Sequence, residues 1–334
     1  MNMLKRITVV FAAAVLASWV NATPVEVRIG HVEAPGQPLD QVLNQVAERV
    51  KKDTRGEVLI RVFPAAQLGG SRDMTEGVQM GFQQGTVLPL AFLGGFNPLS
   101  AVLDIPFLLP EDDSRARQLL AGPFGQSLLQ SFDGKGLKGL VFWPGGRKNF
   151  SMNAELDSID DFAGKRFRVM DSKVLMAQMQ ALGATPVSLP FSDVYMGLQT
   201  GGVDGQENPL DSIVRMKFHE VQRSVLLSKH GALENVVLFN PAFWNGLTEE
   251  QRQSIKTAFV EASTTLLTLK VAAGEAAAAA LLAGPVSVTQ PSAELTEALK
   301  KAMFPASLKE FTAMTGSEGE QLMQHYFEFM DAGN

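Results

Sequence analysis

Two arginines stand two residues apart in Lys165-Arg166-Phe167-Arg168-Val169-Met170. In a strand that spacing sends both guanidinium groups to one face, while Phe167 and Val169 take the other. With Phe167 in a core, the arginine face either meets solvent or lines a cleft. A planar guanidinium grips a carboxylate through two parallel hydrogen bonds, which lysine cannot copy. Arg168, nearer the carboxyl end of its strand, is the one placed to reach the crevice where α/β sheets hold ligands. A further arginine, Arg147, lies in Gly145-Gly146-Arg147-Lys148-Asn149, where glycines let backbone approach a neighbour or a ligand closely. By itself it reads equally well as an exposed loop residue. Asn208 precedes Pro209, which forces it into an extended conformation and holds its donor and acceptor in a fixed direction.

Catalytic arrangements are missing. The four histidines, His31, His219, His230 and His325, are scattered without metal-ligand spacing, and the sequence holds no cysteine. Gly134-Lys135-Gly136-Leu137-Lys138-Gly139 matches the glycine pattern of a dinucleotide turn. It precedes a strand where that turn must follow one, so a plain turn is expected. Asp204 and Glu207 are spaced as a carboxylate pair would be, but they sit in a glycine-rich turn where acids commonly hold the local backbone. No metal, no cofactor and no enzymatic step are expected.

The bulk properties agree with a binder outside the cytoplasm. Lys5 and Arg6, an apolar run over residues 7–19 and small residues up to Ala22 have the order of a secretory signal peptide over residues 1–22. The run is too short to cross roughly 30 Å of hydrocarbon as a helix. No later stretch reads as apolar for long enough to cross either. The remaining chain exceeds the roughly 250–300 residues at which one core stops growing, so two lobes are expected. The formal net charge is −6, which argues against nucleic acid or anionic lipid as partner. Without cysteine there is neither a disulfide nor a lipid-modified anchor, which points to a Gram-negative periplasm.

The elements that must position these residues follow from periodicity. Residues 25–29 alternate as a strand, and Leu39, Val42, Leu43, Val46, Ala47 and Val50 share one helix face. A strand over 58–63 and a helix over 74–82 follow. The pattern restarts with strands over 137–143 and 166–169, helices over 173–182 and from Ser192 to about 199, and a strand over 236–239. Thr248 and Gln251 have capping-box spacing and open a helix running to about 282. The C-terminal segment over 292–330 reads as mostly helical. Two α/β units and one very long helix imply lobes that share elements, joined by crossing strands, with a ligand cleft between them.

At these residues the chain resembles the solute-binding proteins of tripartite ATP-independent periplasmic (TRAP) transporters, the DctP family. The resemblance rests on Gln67-Leu68-Gly69-Gly70, Asp104-Ile105-Pro106-Phe107, Gly145 to Arg147 and the arginine strand. Its most specific blocks are Phe191-Ser192-Asp193-Val194-Tyr195, Val203 through Pro209 and His219-Glu220-Val221. It implies an α/β, two-lobed periplasmic-binding-protein fold with a long helix bridging both lobes and the ligand between them. The expected division gives residues 23–144 with about 234–272 to lobe I, and 145–233 with about 273–334 to lobe II. It further implies that Arg168 pairs with a ligand carboxylate, that Arg147 and Asn208 assist and that Phe191 lines the pocket. His31, Glu33 and the stretch 89–96 are expected to complete it. The implied partners are a small carboxylate and the small and large TRAP membrane subunits, with the binding protein itself a monomer. The segment from Asp171 to Gln178 resembles the C4-dicarboxylate branch, which is favoured, whereas the Gly145 to Asn149 loop is closer to sugar-acid binders. A ligand-dependent partner of a receptor is the alternative role.

Overall fold

A computed structural model of the chain describes residues 23–332, so the expected signal peptide lies outside the described residues. The first unit is β1 (Val25–His31), α1 (Pro38–Asp53), β2 (Val58–Phe63), α2 (Ser71–Gln79) and β3 (Gly85–Pro89). β1 runs parallel to β2 and β3 on either side. All six apolar residues of the expected α1 face are buried against this sheet. After α3 (Asp113–Ala121) and α4 (Pro123–Gln130) the chain enters β4 (Lys138–Met152). The second unit then follows with β5 (Arg166–Val169), α5 (Lys173–Ala181), β6 (Thr185–Ser188), α6 (Val194–Gln199), β7 (Gly205–Pro209) and α7 (Leu210–Arg215). β8 (Ser224–Phe239), α8 (Pro241–Gly246), α9 (Glu249–Ala283), β9 (Ser287–Thr289) and α10 (Ala293–Asp331) complete it.

The strands form one sheet in the order β2-β1-β3-β8-β4-β7-β5-β6, with β9 beside β8. Its spine is the antiparallel pair β4 and β8, of 15 and 16 residues, each about 50 Å long at the usual rise. One end of β8 holds β3, from Gly85 opposite Phe239 to Pro89 opposite Asn235. The far end of β4 holds β7, from Lys148 opposite Pro209 to Met152 opposite Gly205. Both units therefore hang on the same two crossing strands, and three register shifts between Gly139 and Phe150 supply the local bend. These strands are far longer than the expected 137–143 and 236–239. Gly145, Gly146, Lys148, Asn149, Ser228, Lys229 and Glu234 interrupt the apolar alternation by which a strand is recognised.

Glycine acts differently at two places in the 201–205 turn. Gly201 takes a positive φ of 68°, as a tight turn demands. At Gly205 a Cβ would meet the Ser151 carbonyl at 2.7 Å and the Phe167 ring at 2.6 Å, so a bare backbone is needed for β7 to pack between β4 and β5. Ser192 does not cap α6. It lies within the 3-10 turn Phe191–Asp193 and bonds the Asp193 carboxylate at 2.9 Å, while α6 starts at Val194 without a side-chain cap.

Two long helices brace the sheet, one more than expected. α9 buries Ile255, Phe259 and Leu266 with α1 and β1, and Leu281 among residues of α6, α7 and β8. By length and hydropathy this helix is apolar enough to cross a membrane, which corrects the expectation that no later stretch is. Its packing against α1, α7 and β4 and the ion pairs of Lys270 at its middle are those of a bracing helix. α10, kinked at Gly316, buries Leu295, Leu299 and Met303 with β5 and α5. Beyond them it buries Phe311, Leu322, Met323 and Tyr326 with the segments preceding β4. α10 therefore packs against elements of both units.

The capping box of α9 is formed, with Gln251 N donating to Thr248 Oγ1 at 3.2 Å and Thr248 N donating to Gln251 Oε1 at 3.1 Å. Thr248→Ala should lower unfolding stability by about 1 kcal/mol, read as a lower urea midpoint with an unchanged slope. An unchanged midpoint would show that the cap carries no stability.

Candidate functional site

A cleft of about 430 Å³ opens between the loops after β1 and β2 on one wall and residues Ser188 to Ser192 on the other. At its floor lies an inner cavity of about 20 Å³, lined by His31, Glu33, Phe92, Met170, Phe191, Asn208, Ser212 and Asn235 among others. Val32, Phe92 and Phe191 line both, so the two spaces meet at a pair of aromatic side chains. The lining residues come from the carboxyl ends of β1, β3, β5 and β7, where an open α/β sheet offers its crevice. Of the expected site residues, His31, Glu33, Phe191 and Asn208 are brought together here, with Pro89 and Phe92 from the expected 89–96 stretch. Asn208 is extended in β7 as Pro209 requires, and its amide nitrogen donates to Gln206 Oε1.

Arg168 lines neither of these spaces, although Leu189, Met170 and Asn208 near it do. It is opposite Gln206 in β7, two residues before Asn208, and two residues before Met170 on its own strand. Its side chain is 1% exposed. Nε and Nη2 both donate to the Leu189 carbonyl, at 3.1 and 2.8 Å, and Nη1 has no hydrogen-bond partner among the described residues. Burial pulls the guanidinium down to about 10, against the opposing pull of Glu207, so it stays charged at neutral pH. Arg166 shares its face but not its fate. It sits at the open end of β5, exposed, and its Nε and Nη2 donate to Asp204 at 3.1 and 3.0 Å. Asp204 also accepts the Arg166 amide at 2.8 Å, which is the backbone-holding role expected of it.

Behind Arg168 is a buried polar cluster that no spacing in the sequence announced. Glu207 Oε1 accepts from Lys148 Nζ at 2.7 Å, and Oε2 accepts from Gln178 Nε2 at 2.6 Å and His230 Nε2 at 2.7 Å. Burial raises the Glu207 pKa, but the Lys148 charge and the His230 bond outweigh it and hold the carboxylate well below its usual range. His230 stacks flat on Phe150 at 3.8 Å, and burial keeps it below its ordinary pKa although Glu207 opposes. Its Nδ1 then accepts from Ser228 Oγ at 2.8 Å.

Arg147 departs from its expected place. Its Nη2 donates to the Pro110 and Glu111 carbonyls and to Asp113 Oδ1 at 3.1 Å. It faces a separate cavity of about 370 Å³ beneath α9, and it does not line the His31–Asn208 cavity. Successive strand side chains point to opposite faces, so Lys148 takes the inward direction. Glu33 is likewise committed: Lys270 Nζ lies 3.0 and 3.2 Å from its oxygens and 3.1 Å from Asp211 Oδ2. One ammonium on α9 therefore ties the loop after β1 to the helix after β7. Burial lowers the Lys270 pKa, but the two carboxylates more than restore it.

Asp104, at the end of the 3-10 segment Pro98–Asp104, is buried with Oδ2 lacking a partner. Burial pushes it up to about 7, with the Lys148 charge and Ser172 opposing. A raised folded-state pKa means that its contribution is complete below the unfolded value of about 4 and is lost as pH rises through about 7. Asp104→Asn should therefore stabilise the protein more at pH 8 than at pH 5 in urea denaturation. An equal effect at both pH values would contradict the buried, protonated carboxyl.

Residues 29–313 match the family model described as bacterial extracellular solute-binding protein, family 7 (DctP). The C4-dicarboxylate-binding periplasmic protein DctP of Rhodobacter capsulatus is 37% identical over 246 residues, 72% of this chain and 73% of that one. A TRAP periplasmic solute-binding protein of Desulfovibrio salexigens, solved with bound orotic acid, matches with a TM-score of 0.90 at 46% identity, covering 91% of this chain and 98% of that one. Another from Shewanella oneidensis, solved with bound succinate, matches with a TM-score of 0.85 at 30% identity, covering 92% and 99%. The two-lobed sheet braced by a long helix is thus that of a TRAP transporter solute-binding protein, and the chain belongs to the DctP family.

Proposed function

We propose that this chain captures a small organic acid in the periplasm of a Gram-negative cell and delivers it, as a monomer, to TRAP membrane subunits without altering it. The observation that carries this reading is Arg168, a buried guanidinium whose Nη1 has no partner among the described residues. Asn208 and Phe191 line the cavity above it. A charge-assisted hydrogen bond contributes about 1.5–3 kcal/mol, so a few of them with apolar contact approach the roughly 8 kcal/mol of micromolar affinity. Arg147 is better read as a holder of the 109–113 loop than as a second clamp. Residues 23–144 with about 234–272 would form one lobe and residues 145–233 with about 273–310 the other, α10 returning to the first.

The relatives differ in what they hold, with a C4-dicarboxylate binder, bound orotic acid and bound succinate among them. A shared carboxylate anchor and a variable remainder fit that spread. Arg168→Lys should weaken the acid that binds best among succinate, malate, galactonate and orotate by at least about tenfold, near 1.4 kcal/mol, with little change in melting temperature. Titration calorimetry beside a thermal melt checks it, and wild-type affinity in that variant would sink the anchor.

A further inference from the structure

Part of the inner cavity's lining is chemically unlike a second carboxylate site. Two side chains that line it carry buried polar atoms with no partner among the described residues: His31 Nδ1 and Asn235 Nδ2, on residues 0% and 2% exposed. The Asn235 side chain is bonded to no described residue, so its terminal amide offers a donor and an acceptor side by side, whichever way round it lies. It rests against bare backbone, where a Cβ on Gly145 would stand 3.1 Å from its nitrogen.

The proton on His31 can be placed. Nε2 is 3.2 Å from Asp40 Oδ1, and Asp40 also accepts from the Gly36 amide and Asn44 Nδ2, so it is an acceptor here. Nε2 therefore carries the hydrogen, burial keeps the ring neutral, and Nδ1 presents a lone pair that must be met by a donor. Glu33 lines the same cavity, and with Asp211 it shares the single Lys270 ammonium. Two carboxylates and one ammonium leave that triad net negative. A second ligand carboxylate, which only accepts, would meet a lone pair and a like charge.

From these observations we infer that the cavity selects a flat heterocyclic carboxylate with a lactam or imide edge, an N–H beside a C=O, over a linear dicarboxylate. The inference rests on the carboxylate-binding reading above. The amide edge of the ligand pairs with the Asn235 amide, and a ring N–H donates to His31 Nδ1. Phe92 and Phe191, where the inner cavity joins the outer cleft, offer aromatic faces to the ring and must part to admit it.

Titration calorimetry on the purified protein, stripped of bound solute by unfolding and refolding, tests this with four probes. Orotate carries carboxylate and edge, benzoate the flat carboxylate alone, uracil the edge alone, and succinate two carboxylates. Orotate should bind at least about 100-fold more tightly than each of the other three, and His31→Phe and Asn235→Leu should each cost it at least about tenfold. Should either variant fail to fold, wild-type protein with orotate methylated on its ring nitrogens gives the same reading, and at least a tenfold loss is expected. Succinate binding as tightly as orotate, or no loss on methylation, would overturn this inference and leave the Arg168 anchor standing. Binding of no carboxylate at all would overturn both.

Discussion

A carboxylate at the centre of a sheet must be paired or it unfolds its surroundings, and Glu207 is that carboxylate. It is 1% exposed, and an uncompensated buried charge costs several kcal/mol. Its partners arrive from three other elements: Lys148 on β4, Gln178 on α5 and His230 on β8. The requirement to satisfy both oxygens therefore fixes how four elements meet. It also fixes what lies beside them, since the Glu207 charge offsets part of the burial cost of Arg168. The Arg168 guanidinium thus lies beside a charge network built from the chain's own residues.

That network sits where the sheet changes hands. β4 and β8 run unbroken from the strands of the first unit to those of the second, so the two sides cannot separate, only bend about a shared pair. The bulges between Gly139 and Phe150 supply a local bend within that pair. α9 and α10 limit it from outside, and Lys270 limits it from inside by holding Glu33 and Asp211 at once.

Within this frame the proposed anchor and the proposed selector are separate structures. Arg168, in that reading, would answer to the common feature of organic acids, a planar anion. His31 of β1, Asn235 of β8 and the Lys270 triad with Glu33 and Asp211 would answer to whatever else the ligand carries. Changes at the second set would leave the first intact, in keeping with relatives that hold a C4-dicarboxylate, orotic acid or succinate.

What the sequence determined by itself was local. The 3.6-residue period of α1 and the Thr248-to-Gln251 box of α9 were legible, as was the direction of Asn208, because each is set by neighbours within a turn or two. The arginine strand and the motif around Asn208 were legible through resemblance, and of these Asn208 lines the inner cavity. The tertiary structure alone decided which charges face one another. Lys148 and Glu207 are 59 residues apart and Lys270 and Glu33 are 237 apart, and no spacing encodes such pairs. Only the structure could turn Arg147 outward and Lys148 inward, since the face each takes depends on the register of β4 against β7 and β8. The same holds for the crossing strands, whose polar and glycine residues hide them from any periodicity until the partners that satisfy them are in place.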